Sequence, residues 1–288
     1  MTNLMDGASM RIRHIFHPTD FSPASMAAFG HALKLTHGLQ SNLTIMHVDP
    51  ARADPDFEDF PRVRATLSQW GILKEGATKD DLLALGLGVR KIRAMAEQPV
   101  ASILQLLSWK PADLMVLATH PKDTLGQWLS DPSGETLARK SRTVSLFVPD
   151  ESQGFVSLQN GAVKLQRFLI PVDHRPDPQA AVNAACSIAA GLAVETAIFE
   201  LLYVGAQADM PPLRLPRRDG WIWKQSVSTG IVVDEILEAA ERRRPDLIVM
   251  ATEWRKGFLD ALRGSTTERI LRRTLCPLLA VPVHEPLA

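Results

Sequence analysis

The chain carries one plan twice. HIFHPTDFSPASMAAFGHALKL near the amino end is matched by RFLIPVDHRPDPQAAVNAACSIAA in the second half, with Asp20 on Asp173 and Ala27 and Ala28 on Ala180 and Ala181, an offset of 153 (173 − 20). Further along, PADLMVLATHPKD meets RPDLIVMATEWRK, with Asp113 on Asp246, Glu135 on Glu268, Arg139 on Arg272 and Pro149 on Pro282, an offset of 133 (246 − 113). Self-similarity over such a length means two copies of one folding unit. The change of offset gives the first copy about 20 extra residues, within Ala53–Leu87, where the charged run DPDFEDFPR precedes a polar, glycine-containing stretch. The expected units are residues 11–150, with an insertion near 53–87, and residues 164–284. A polar linker over 151–163 joins them.

Within each unit, short apolar runs alternate with helical spacing. HIFHPTD ends a strand, Ala24–Thr36 sets Ala27, Ala28 and Leu35 on one side of a helix, and LTIMHV is a second strand. Gly88–Ala96 is a weaker strand, Val100–Trp109 a helix, DLMVLAT a strand apolar on both faces, Ser133–Lys140 a helix, and TVSLFVP closes the unit. The second copy repeats the order with RFLIPVD, Pro178–Ala190, AIFELLYV, Trp223–Ser228, Val232–Arg242, DLIVMAT, Ser265–Arg272 and PLLAVPV. The fold class is α/β: two tandem domains, each an open five-stranded, mostly parallel sheet flanked by helices with right-handed crossovers.

Composition removes several functional classes. The 288 residues hold 32 Lys plus Arg against 32 Asp plus Glu, so no overall positive field holds this chain to nucleic acid, although a local basic patch stays open. Two cysteines, Cys186 and Cys276, exclude a disulfide framework and a four-thiolate zinc site. No apolar run reaches the roughly 18 residues that span a bilayer, and the amino end has too short an apolar stretch for a signal peptide, so a cytoplasmic location without membrane contact is expected.

Ligands of open parallel sheets lie beyond the carboxyl ends of the strands, where strand order reverses. That rule selects Thr19–Asp20 with Thr119–His120, and Val172–Asp173 with Thr252–Glu253. Asp20 and Asp173 can accept hydrogen bonds from a base or sugar, or merely cap the helix that follows. In ATEWRKGFLDALRGSTTERI, Gly264 allows close backbone approach, Ser265 and Thr266 offer donors at a helix start, and Arg255, Lys256 and Arg263 add positive charge. Together these suit a phosphate. Ser265 with Glu268 also fits a capping box. The first copy has Asp131 and Pro132 at the Gly264 and Ser265 positions, and Asp123 nearby, a poor place for phosphate because a carboxylate repels it and proline lacks an N–H.

Asp20 and Asp173 at strand ends, DLMVLAT and DLIVMAT, CPLLAVP at Cys276–Pro282 and above all GSTTERIL at Gly264–Leu271 resemble the universal stress protein family, as a tandem two-domain member. The resemblance covers about Arg11–Pro149 and Lys164–Val283 and implies an adenine-nucleotide alpha-hydrolase-like fold. Nucleotide-binding members have two glycines separated by two residues after the fourth strand, then nine residues, then a glycine followed by Ser or Thr. Here Ala251 and Trp254 occupy the first two glycine positions while Gly264–Ser265 fits the third; the first copy reads Ala118, Pro121, Asp131 and Pro132 and keeps no element. The resemblance therefore implies a site for ATP or another adenine nucleotide in the second domain only, formed by Asp173, Ala251, Thr252, Gly264, Ser265 and Thr266, with Asp20 the degenerate counterpart. It also implies that the final strands, Ser145–Val148 and Leu279–Val281, pair across a pseudo-dimer, which would cover both sheet edges.

The remaining candidates read as structure. His14 and His17 sit three apart on one strand and share no face; His120 has no nucleophile beside it; Cys186 lies in an apolar helix stripe and Cys276 at the mouth of the last strand. The acidic run Asp54, Asp56, Glu58 and Asp59 is a solvated face, and Arg214, Arg217 and Arg218 beside Trp221 and Trp223 form either a contact surface or a packed corner. The expected function is that of a non-enzymatic stress-associated binding protein with an unidentified protein partner and a homodimer left open. An interaction scaffold with both pockets closed is one alternative. A weak ATP hydrolase is the other, for which Glu253, Asp173 and Ser265 are a thin basis because hydrolysis also needs a metal and a positioned water.

Overall fold

The LMVLAT and LIVMATE runs are apolar on consecutive residues, which only a strand covered on both faces tolerates. The computed structural model, which describes residues 10–49, 57–119, 143–149, 152, 154–253 and 266–283, places both runs in the interior of one sheet. The first half contributes β1 (His14–Pro18), β2 (Asn42–Asp49), β3 (Val89–Met95), β4 (Leu114–Thr119) and β5 (Val144–Pro149). The second contributes β6 (Arg167–Val172), β7 (Ala197–Val204), β8 (Trp221–Ser228), β9 (Leu247–Glu253) and β10 (Leu278–Val283). The helices are α1 (Pro23–Leu39), α2 (Val63–Gln69), α3 (Lys79–Ala84), α4 (Pro99–Trp109), α5 (Gln179–Gly191), α6 (Val232–Arg243) and α7 (Thr266–Leu271). The expected helix at Ser133–Lys140 lies outside the described residues.

Strand order is β3-β2-β1-β4-β5-β10-β9-β6-β7-β8. The ten strands form one sheet, because the final strands of the two halves pair as the resemblance implied. Pairing is parallel within each half and antiparallel where β5 meets β10, through Phe147–Leu278, Leu146–Leu279 and Ser145–Ala280. An otherwise open edge on each half is thereby satisfied by the other. The antiparallel junction also runs the two sets of strands in opposite directions, so the carboxyl ends of the halves face opposite ends of the sheet.

Local sequence explains the helix that follows each first strand. Ser22 caps α1, its Oγ accepting from Ser25 N at 3.2 Å, and Pro23 occupies the first turn, where no N–H is needed. On one face of the sheet α1 and α5 meet at Gly38 and Gly191, which are related by the same 153-residue offset (191 − 38). A Cβ on Gly38 would strike the Gly191 carbonyl oxygen, and one on Gly191 would strike Leu39. The opposite face packs Ile103, Leu104 and Leu107 of α4 and Val233, Ile236 and Leu237 of α6 over Phe16, Met115, Ile248 and Met250.

Two stretches depart from expectation. The linker is no solvated tether: Phe155 and Val156 are buried, Val156 bridges to Val163, and both the Phe155 and Val156 N–H groups donate to His31 Nε2 at 2.9 and 3.2 Å. Residues 57–87 form α2 and α3, with a Thr78–Asp81 capping box starting α3 and Phe60, Val63, Leu67 and Leu82 joined to the core.

Candidate functional site

The 3-2-1-4-5 order of the first half and its copy in the second reverse between β1 and β4, and between β6 and β9. At each switch point the ladder is short, through Ile15–Leu114 and Phe16–Met115 in the first half and Phe168–Leu247 and Leu169–Ile248 in the second. The crevices beyond these strands are where a ligand would enter.

In the first half, Asp20 shapes the turn into α1, its Oδ1 accepting Ser22 N at 3.0 Å. Thr19 Oγ1 accepts from Phe21 N and Ser25 Oγ at 3.1 and 2.9 Å, and its carbonyl pairs with His47 Nδ1 at 2.7 Å. These bonds hold Phe21, at φ 66°, over His47 with ring centres 4.1 Å apart. Phe60 arrives from the insertion and meets Phe21 edge-on at 5.2 Å, and the Arg93 guanidinium of β3 lies 5.9 Å from both rings while pairing with Asp59 at 3.4 Å. The carboxyl ends of β1, β2 and β3 are thus covered by packed side chains. Ala118 is half-buried in β4; His120, Pro121, Asp123, Asp131 and Pro132 lie outside the described residues.

The second half has different chemistry at the same register. Val172 pairs with Tyr203 where Thr19 follows on the Pro18–Met46 pair, so Tyr203 stands where His47 stands and His174 where Phe21 stands. Val227, across from Tyr203, takes the place of Arg93, across from His47. Asp173 is exposed, with Oδ1 accepting His174 N at 2.7 Å; His174 Nε2 reaches the Asp209 carbonyl at 2.7 Å, and its ring lies edge-on to Tyr203 at 6.3 Å. Desolvation, then the carboxylates of Asp209 and Asp173, push the Tyr203 pKa upward, which keeps its hydroxyl a neutral donor. Ala251 and Thr252 lie at the end of β9, Thr252 buried, and Thr266 opens α7 half-buried. Gly264, Ser265, Trp254, Arg255, Lys256 and Arg263 lie outside the described residues. Glu268 is buried and pairs with Arg272 at 2.7 Å.

The other sequence candidates serve packing. His14 bonds the Pro111 carbonyl and Thr44 Oγ1 at 2.7 and 2.8 Å, and His17 is buried with Nδ1 on the Val116 carbonyl at 2.9 Å. Trp221 and Trp223 donate to the Val194 and Pro216 carbonyls, and Arg218 stacks on Trp221 at 4.9 Å, a packed corner. Burial pushes the Cys186 thiol up to about 12 and Cys276 higher still, with Cys276 Sγ donating to the Pro245 carbonyl at 3.1 Å. Among the described residues no group of His, Cys, Asp or Glu is placed to hold a metal ion, and no helix is long and apolar enough to cross a membrane.

A family model described as the universal stress protein family matches residues 11–149 and 219–282, more than half of the chain. The chain belongs to the universal stress protein family. Universal stress protein MJ0531 of Methanocaldococcus jannaschii is 42% identical over 52 residues, a match spanning 18% of this chain and 31% of that protein's length. A universal stress protein from Archaeoglobus fulgidus has a similar structure, with TM-score 0.54 and 15% identity, over 93% of this chain and 98% of that one. A putative universal stress protein from Pseudomonas aeruginosa UCBPP-PA14 superposes with TM-score 0.58 at 17% identity, over 95% and 94% of the two chains. At these identities the structural likeness speaks for the fold. The residues that sequence reasoning missed are Phe60, Arg93, His47 and Tyr203, because register across three strands, not sequence spacing, brings them to the crevices.

Proposed function

We propose that this universal stress protein acts by binding rather than catalysis, and that an adenine nucleotide, where one is held, sits in the second half with Asp173, Ala251, Thr252, Gly264, Ser265 and Thr266 around it. The supporting observation is the contrast at equivalent register. Phe21, His47, Phe60 and Arg93 pack over the strand ends of the first half. Exposed Asp173 and His174 beside a neutral Tyr203 hydroxyl line those of the second. A base needs a few oriented donors and acceptors, and Asp173, His174 and Tyr203 offer them.

Denaturing the purified protein and assaying released nucleotide by absorbance and mass, followed by Mg-ATP titration, tests this. Recovery of adenine nucleotide, or saturable binding abolished by Asp173→Ala and by Gly264→Asp, supports the site. Absence of both at millimolar Mg-ATP leaves an interaction scaffold and removes the nucleotide. Turnover above background, lost in Asp173→Ala with Ser265→Ala, would instead make the protein a weak hydrolase.

A further inference from the structure

The insertion borders an open cleft of its own, lined by none of the crevice residues described above. Helices α2 and α3 fold back on β3, the strand at one edge of the sheet, around a space of about 990 Å³. Its apolar side is formed by Val63, Leu82 and Val89, and Phe57 stands at the rim, 43% exposed. Arg62, Arg64, Lys74, Lys79 and Lys91 also line it, against the single carboxylate of Glu75 among the described lining residues.

Two of the five cations already have partners: Arg64 donates to the Ala77 carbonyl at 3.0 Å, and Lys74 pairs with Asp81 at 3.5 Å. Arg62, Lys79 and Lys91 have no ion-pair partner among the described residues. Burial, then the fields of Arg64 and Arg62, hold the Lys91 pKa below its ordinary value, so Lys91 feels two neighbouring cations in the same lining. Like charges kept together at a partly dry surface cost free energy that a bound oxyanion would relieve. The second half, whose β7 and β8 are joined by a 3-10 turn at Gln207–Asp209 and an extended PPLRLP run, has no counterpart of α2 and α3.

We propose that this cleft binds a small molecule carrying a diphosphate, with Arg62, Lys79 and Lys91 on the oxyanions and the Phe57 ring against any attached base. A pyrophosphate fragment brings the negative charge that Arg62, Lys79 and Lys91 can answer, and the exposed Phe57 ring in the same lining favours a flat substituent.

Calorimetry on the full chain at low ionic strength, with inorganic pyrophosphate and ADP as separate probes and sulfate as control, tests the site. Expected are one saturable site for pyrophosphate and a loss of at least about tenfold in Arg62→Gln and in Lys79→Gln, with melting temperature unchanged because both side chains are exposed. Phe57→Ala is expected to weaken ADP while sparing pyrophosphate; equal effects on both would overturn the role of the ring. Asp173→Ala leaves this binding intact. No saturation at millimolar pyrophosphate, equal binding of sulfate, or ADP binding that survives Arg62→Gln with Lys79→Gln yet vanishes in Asp173→Ala would overturn the proposal.

Discussion

His31 shows how one side chain can hold distant segments together. Its Nδ1 bonds the Ala27 carbonyl at 2.8 Å, so Nε2 is the acceptor for Phe155 and Val156. Only the neutral ring can do this, and burial lowers its pKa from 6.5 to about 4. His17 is lowered similarly, again chiefly by burial. Above pH 6.5 both states of the chain hold these rings neutral and the contribution is fully present. Between 6.5 and about 4 the unfolded chain takes up protons that the folded chain refuses, so stability falls as pH falls. Each ring accounts for about 3 kcal/mol across that window. Urea midpoints measured from pH 7.5 to 4 should decline, and His31→Gln should flatten the decline; a flat wild-type profile would contradict the burial of both rings. Cys186, with a pKa pushed up to about 12, should react with a thiol reagent at pH 8 far more slowly in the native chain than in urea.

Among the elements, the insertion does most to distinguish the halves. Its Phe60 is 1% exposed and touches Phe21, Phe57, Lys91 and Arg93, so Phe60→Ala should cost about 3–5 kcal/mol in denaturant unfolding. A cost below about 1 kcal/mol would mean that the ring does not seal the crevice. α3 starts at a capping box between Thr78 and Asp81, a local device that a reading of residues 53–87 as a charged and polar insertion passed over. The role of Phe60 was not legible in sequence: DPDFEDFPR is acidic and reads as a solvated face, and nothing local tells that its last phenylalanine turns inward over β2 and β3. The strands and most helices matched their sequence spacing within a few residues because fully buried parallel strands must be continuously apolar.

At the scale of the whole molecule, β5 with β10 and Gly38 with Gly191 join the halves at two places. Gly38→Ala should cost about 1–3 kcal/mol, because the added methyl meets a backbone oxygen that cannot move without shifting α5. Unfolding followed by tryptophan fluorescence and by circular dichroism should give one coincident transition, since ten strands share one sheet; two resolved transitions would show the junction to be weak. The antiparallel junction sends the two crevices to opposite ends of the sheet, so one small ligand cannot bridge them. The sequence by itself determined the duplication and the α/β alternation, because periodicity and residue type act locally along the chain. Only the tertiary structure decided the register by which β5 meets β10, that Phe155 and Val156 of the linker join the core, that Phe60 and Arg93 cover one crevice, and that Arg62, Lys79 and Lys91 line one cleft. These outcomes depend on strand register and on edges meeting edges, contacts between residues far apart in sequence.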